Sequence, residues 1–158
     1  MKLLQLMAAL ATFTLLSCGN HTNDTVQAIE ANSNPQITTS TVSDDIALIS
    51  LRNNCYACHN PKTESHDDIL APPLAGIKRR YKKQYPDEQS FVEHMTEFID
   101  SPSEEEALMK GPIKRFGLMP KTALSKDEIK ELAKYIYHHP IEAPKWFQSY
   151  FKEKHGKE

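Results

Sequence analysis

Hydrophobic residues in this chain fall into short groups spaced at three and four positions, separated by polar or proline-bearing stretches. The first group is the densest. Leu3 to Leu16 is apolar apart from Gln5, Thr12 and Thr14, and Lys2 precedes it. One early positive charge, a short apolar run and small residues near its end have the form of a secretory signal over residues 1–17. The run falls short of the roughly 20 residues a membrane-spanning helix needs. Asn, Thr and Ser then dominate up to Ser43 with no apolar period, so residues 18–43 read as a flexible tether that cannot bury a core.

The helical period begins after that. Ile46, Ala47, Leu48, Ile49 and Leu51 predict a helix running toward Cys55, with Ser43, Asp44 and Asp45 capping its start. Pro61, Pro72, Pro73 and Pro86 punctuate a loop-like stretch holding one short helix near Ile77–Tyr81. Phe91, Met95, Phe98 and Ile99 form one stripe of a helix over Asp87–Asp100. A short helix is expected over Ser103–Met109, with Glu104, Glu105 and Glu106 in its first turn and Gly111-Pro112 breaking it. Ser125 and Glu128 make a capping box ahead of Ile129, Leu132, Ala133, Ile136 and Tyr137, and Pro140 ends that helix. Pro144–Gly156 can form a last one. No segment alternates with period two. The pattern predicts an all-α domain over residues 44–139, with an aromatic and charged extension at 140–158 packed on it.

Composition changes this picture in two places. A net charge of -2 argues against nucleic acid as a partner. The cysteines number 3, too few for a disulfide scaffold and odd, so each needs its own explanation.

Two of them stand in Cys55-Tyr56-Ala57-Cys58-His59, the Cys-x-x-Cys-His pattern of covalent c-type haem attachment. Two thiols at this spacing reach the two vinyl groups of one porphyrin edge, and the adjacent histidine offers its imidazole to the iron. A zinc site would want further ligands at recognisable spacing, and there is no second cysteine pair. A redox dithiol would want a strand before it, where the chain reads helical. A disulfide between residues three apart would be strained. A second axial ligand is sought among the methionines and histidines. Met95 and Met109 read as packing residues. Met119 sits in the non-helical stretch Phe116-Gly117-Leu118-Met119-Pro120, where Pro120 stiffens the loop and Gly117 permits close approach, and it is the favoured ligand. His66, His94, His138 and His139 are its competitors.

At these residues the chain resembles a class I monohaem cytochrome c, lipid-anchored, over about residues 44–139. Cys55, Cys58 and His59 match the attachment motif, and Met119-Pro120 matches the distal-ligand loop. Pro72-Pro73-Leu74-Ala75-Gly76 is similar to the family's Pro-x-Leu-x-Gly segment, and Leu132–Ile136 to its terminal helix. The resemblance implies one haem c, a cytochrome c-like all-α fold, and a Pro72 carbonyl that orients His59 from outside the ligand set. It implies one-electron transfer between respiratory partners and no enzymatic activity. The alternatives are a haem subunit of a larger membrane oxidoreductase or a haem-based sensor. Leu15-Leu16-Ser17-Cys18 resembles a bacterial lipobox, which implies lipidation of Cys18 and a place in the cell envelope, facing the periplasm. Lys110, Lys114, Arg115 and Lys121 bracket Met119 with no acidic residue among them and form a candidate docking patch for an acidic redox partner.

Overall fold

The computed structural model describes residues 39–156. Residues 1–38, including the apolar leader, Cys18 and most of the polar stretch, lie outside it. The described part holds six α-helices: α1 (Thr39–Asn54), α2 (Leu74–Gln84), α3 (Glu88–Asp100), α4 (Lys110–Phe116), α5 (Lys126–His138) and α6 (Phe147–His155). A 3-10 turn at His66–Asp68 lies between α1 and α2, and there is no strand among the described residues.

The core forms where α1, α3 and α5 meet, and α2 closes one side. Leu51 of α1, Phe91, Val92 and Met95 of α3, and Leu132, Ala133 and Ile136 of α5 are buried together with Leu74 and Tyr81 of α2. In α3 and α5 these positions lie three or four apart, which brings one stripe to one face. Phe91 is fixed by two edge-on rings, Tyr81 at 5.9 Å and Tyr137 at 5.2 Å. Such contacts favour one packing over others of equal volume.

Helix ends follow local chemistry. Ser125 and Glu128 form a reciprocal capping box at α5. Asp87 accepts from the Ser90 backbone N–H at 2.8 Å and starts α3. Other ends differ from the pattern-based expectation. α1 begins at Thr39, so Ser43 lies inside the helix rather than at its cap; neither Gly nor Pro stands between them to stop it. Ala47 and Leu51 face the core from α1, while Ile46 and Ile49 are 62% and 57% exposed. The stretch expected as a helix over Ser103–Met109 is instead a turn, and the helix lies after it, at Lys110–Phe116. Gly111 and Pro112 sit in its first turn rather than breaking it. Proline is tolerated there because those N–H groups have no partner within the helix. Around Ile77–Tyr81 the helix is longer than expected, running from Leu74 to Gln84.

Candidate haem site

The end of α1 does not simply stop. Cys55 N–H donates to Leu51 O at 2.9 Å, and His59 N–H donates to Cys55 O at 2.9 Å. The winding therefore continues through the motif. It places Cys55 and Cys58, three positions apart, as neighbours on one turn. Cys55 is half-buried against the core, and Cys58 is exposed. The two are not joined to each other. Burial, helped by the nearby Cys58, pushes the Cys55 thiol up to about 11. Among the described residues no three His, Cys, Asp or Glu side chains converge to hold an ion.

His59 Nδ1 lies 2.6 Å from the Pro72 carbonyl oxygen. A carbonyl can only accept, so Nδ1 carries the proton and Nε2 keeps its lone pair. Burial lowers the pKa of this imidazole, and the Pro72 hydrogen bond opposes it more weakly. The ring is held as a neutral base of fixed tautomer, the state in which histidine binds a metal. The start of α2 explains why Pro72 is available. Pro73 is the N-cap and its carbonyl accepts from Gly76 at 2.9 Å and Ile77 at 3.2 Å. The Pro72 carbonyl stands one residue outside that ladder, free for His59.

The segment between His59 and α2 is held from outside by the chain's end. Trp146 Nε1 donates to Thr63 O at 3.0 Å, and the Tyr150 ring stacks on His66 at 4.1 Å. Phe147 is buried against α2, where a Cβ on Gly76 would meet its ring at 3.3 Å. Sequence reading placed aromatics in this extension but missed its role against the site. The legible signal was a glycine inside a helix, which usually marks a close approach.

Met119 is half-buried in the loop between α4 and α5. Gly117 ends α4 with φ 83° and ψ 176°, a conformation essentially reserved for glycine. Its backbone, more than its small size, is what the loop requires. The histidines weighed against Met119 all have other engagements. His94 stacks on Tyr85 at 3.9 Å, His138 meets Glu88 at 3.1 Å, and His139 meets Asp44 at 3.2 Å. His66 Nε2 accepts from Arg115 at 2.6 Å.

Haem c fits these residues. Cys55 and Cys58 would take its thioethers, and the Nε2 of His59 its iron. Leu70, two residues before Pro72, is 71% exposed, and Leu118, beside Met119, is 38% exposed.

The family model described as cytochrome c matches residues 44–140 of this chain, more than half of its length. The chain belongs to the cytochrome c family. The match spans α2, α3 and α4, the stretch whose motifs were hardest to place from sequence, so these helices are part of the family domain. An uncharacterised protein of Aquifex aeolicus (strain VF5) is 29% identical over 123 residues, covering 67% of this chain and 79% of that protein. No solved structure matches the chain. Cytochromes of this family bind haem c covalently and carry electrons, and so does this chain.

The basic residues around Met119 have individual settings. The Lys110 ammonium donates to the carbonyl oxygens of Glu104 and Glu105. Arg115 lies 3.7 Å from Asp67, and Lys121 lies 3.9 Å from Asp100. Lys110, Lys114 and Lys121 are exposed.

Proposed function

We propose that this cytochrome carries single electrons between respiratory partners on the periplasmic side of a membrane, with His59 and Met119 as its axial ligands. The observation that carries this reading is the 2.6 Å contact from His59 to the Pro72 carbonyl, at the end of a turn bearing both motif cysteines. Bound haem supplies an iron that gains and loses one electron. The polypeptide does the rest. Cys55 and Cys58 would hold the ring, Pro72 fixes the His59 tautomer, and Met119 would offer a thioether to the iron. With His59 and Met119 both bound, the iron would have no open place for a substrate, which favours electron transfer over catalysis. Thioether ligation raises the potential relative to more donating sets.

Visible spectra of the oxidised and reduced protein, with a pyridine haemochrome, test this. The expected result is a low-spin c-type spectrum with thioether-attached haem. A haem extractable by acidified organic solvent, or a high-spin ferric spectrum, would refute it.

Leu15-Leu16-Ser17-Cys18 supports attachment to a membrane through lipid on Cys18. The exposed Lys110, Lys114 and Lys121, with Arg115, support docking of an acidic partner beside Met119. Complementary charge speeds such encounters, and salt screens them. Electron-transfer rates with an acidic redox protein should fall as ionic strength rises; a flat dependence would remove the patch from the mechanism.

A further inference from the structure

Helix α1 carries apolar side chains on two opposite faces. Ala47 and Leu51 are buried in the core, while Val42, Ile46 and Ile49 are 47%, 62% and 57% exposed. At 3.6 residues per turn, Val42, Ile46, Ile49 and the exposed Asn53 fall within about 60° of arc, opposite Leu51. Cys55 packs against the core with Leu51, so the stripe is turned away from the haem attachment turn. Single exposed aliphatic residues are ordinary, but a row of them along one helix face marks a contact surface.

The row has the spacing four, three, four, by which two helices interlock along a seam. Its edges differ. Ser43 and Ser50 flank one side, small and uncharged, and admit a neighbour closely. Asp45 and Arg52 flank the other. Asp45 is exposed and makes no ion pair among the described residues. Arg52 holds Glu142 at 2.8 Å through one nitrogen and is 54% exposed, which leaves further N–H donors open.

These features select one arrangement. Two copies of α1 running antiparallel about a two-fold axis set Ile46 against Ile49 of the second copy and Val42 against its Asn53, each contact made twice. The same register brings Asp45 of each copy to Arg52 of the other, and Ser43 to Ser50. A parallel pairing would set Asp45 against Ser50 and leave both charges without a partner. A bilayer surface is the rival occupant, but it favours an apolar row flanked by cations, and this flank carries Asp45 and serines.

We propose that the outer face of α1 is the seam of a symmetric, antiparallel dimer of this chain. The pairing leaves the two haem attachment turns at opposite ends, with the Cys55 residues roughly 22 Å apart along the helix axes. Both turns stay clear of the seam. The inference stands apart from the electron-transfer reading and holds or fails independently of it. The seam is about three turns long, so association is expected to be weak and concentration-dependent.

The test is sedimentation velocity of the full-length haem-loaded protein from about 10 μM to about 1 mM, with Cys18→Ser so that no acyl chain contributes. Every variant carries the same leader, so differences between variants belong to the seam. A shift from monomer toward dimer is expected across that range. Ile46→Ser combined with Ile49→Ser should weaken it by about tenfold or more, with the visible spectrum unchanged, because both side chains are exposed. Asp45→Arg and Arg52→Asp should each weaken it by about threefold or more, since each sets like charges across the seam. An equal mixture of those two variants should recover association, because every cation then faces an acid; a role within one chain would give no such recovery. A protein that stays monomeric at about 1 mM would overturn the proposal, including the case in which it settles on phosphatidylglycerol vesicles instead. So would serine variants that associate like the parent, or a mixture that associates no more tightly than its components.

Discussion

The segment that presents Pro72 to His59 and the loop that holds Met119 are built differently. The first is braced from far along the chain: Trp146 reaches Thr63, Phe147 packs on Gly76, and Tyr150 stacks on His66. The second is held locally. Gly117 N–H donates to Ile113 O at 2.8 Å, and Leu124 N–H to Thr122 Oγ1 at 3.2 Å. Its distant tie is Lys121 to Asp100 at 3.9 Å, an exposed pair of the kind that contributes little. His59 is therefore fixed by tertiary packing, and Met119, the ligand proposed to complement it, by the stiffness of a short loop. The proximal side should resist perturbation as part of the fold, and the distal side should yield first.

The largest expected effect tests the distal side. Met119→Ala should leave haem attached through Cys55 and Cys58 but open the iron. The reduced variant is expected to bind carbon monoxide stoichiometrically, and the weak red ferric band of a thioether–iron bond should vanish. An unchanged band would disprove the ligand. Next comes the brace. Phe147→Ala should cost about 3 kcal/mol in denaturant unfolding, the usual scale for emptying a buried aromatic site. Leu118→Ala, in the distal loop and 38% exposed, should cost under about 1 kcal/mol. Similar losses from the two would erase the contrast.

The core that both segments rest on can be loosened with alkali. Burial, with the neighbouring Tyr85, pushes the Tyr81 phenol up to about 12 from 10.0. The folded state thus keeps a proton that the unfolded chain releases sooner. Its contribution is complete below pH 10 and is lost between pH 10 and about 12, up to roughly 2–3 kcal/mol. Tyr81→Phe should flatten the stability profile in that window, and an equally steep fall in the variant would reject the assignment. A further effect is at the loop's hinge. Gly117→Ala should cost about 1–2 kcal/mol through backbone strain alone, because its Cβ meets nothing within 4 Å. A larger loss would mean a packing role that the structure does not show.

What could be read in advance was whatever rests on a local rule. The capping box at Ser125, the stripe of α3 and the haem motif each depend on residues within a few positions of one another. The burial of Met95 followed from its period as well. The start of α1 was misplaced because Ser43, Asp44 and Asp45 are capping residues by propensity, yet no Gly or Pro between Thr39 and Ser43 stops the helix. α4 was misplaced because Gly-Pro reads as a break unless it falls in a first turn. On α1 the apolar run is nearly continuous, so sequence alone could not say that Ala47 and Leu51 would be buried and Ile46 and Ile49 exposed. The brace from α6 was beyond reach for a different reason. Trp146 and Thr63 are 83 positions apart, and no periodicity connects them.

Gly76 has a consequence for where this protein can be cut. The family match ends at residue 140, which invites a shorter chain stopped there. The bare α-carbon of Gly76 exists to receive a ring from residue 147, and removing that ring would leave a hollow beside the proline that steers His59. The boundary of the inherited domain and the boundary of the cooperative unit are then different places. Amides of α2 should exchange with solvent at the slow rate of the core only while the last helix is present. Residues 141–156 belong to the unit that folds, whatever their ancestry.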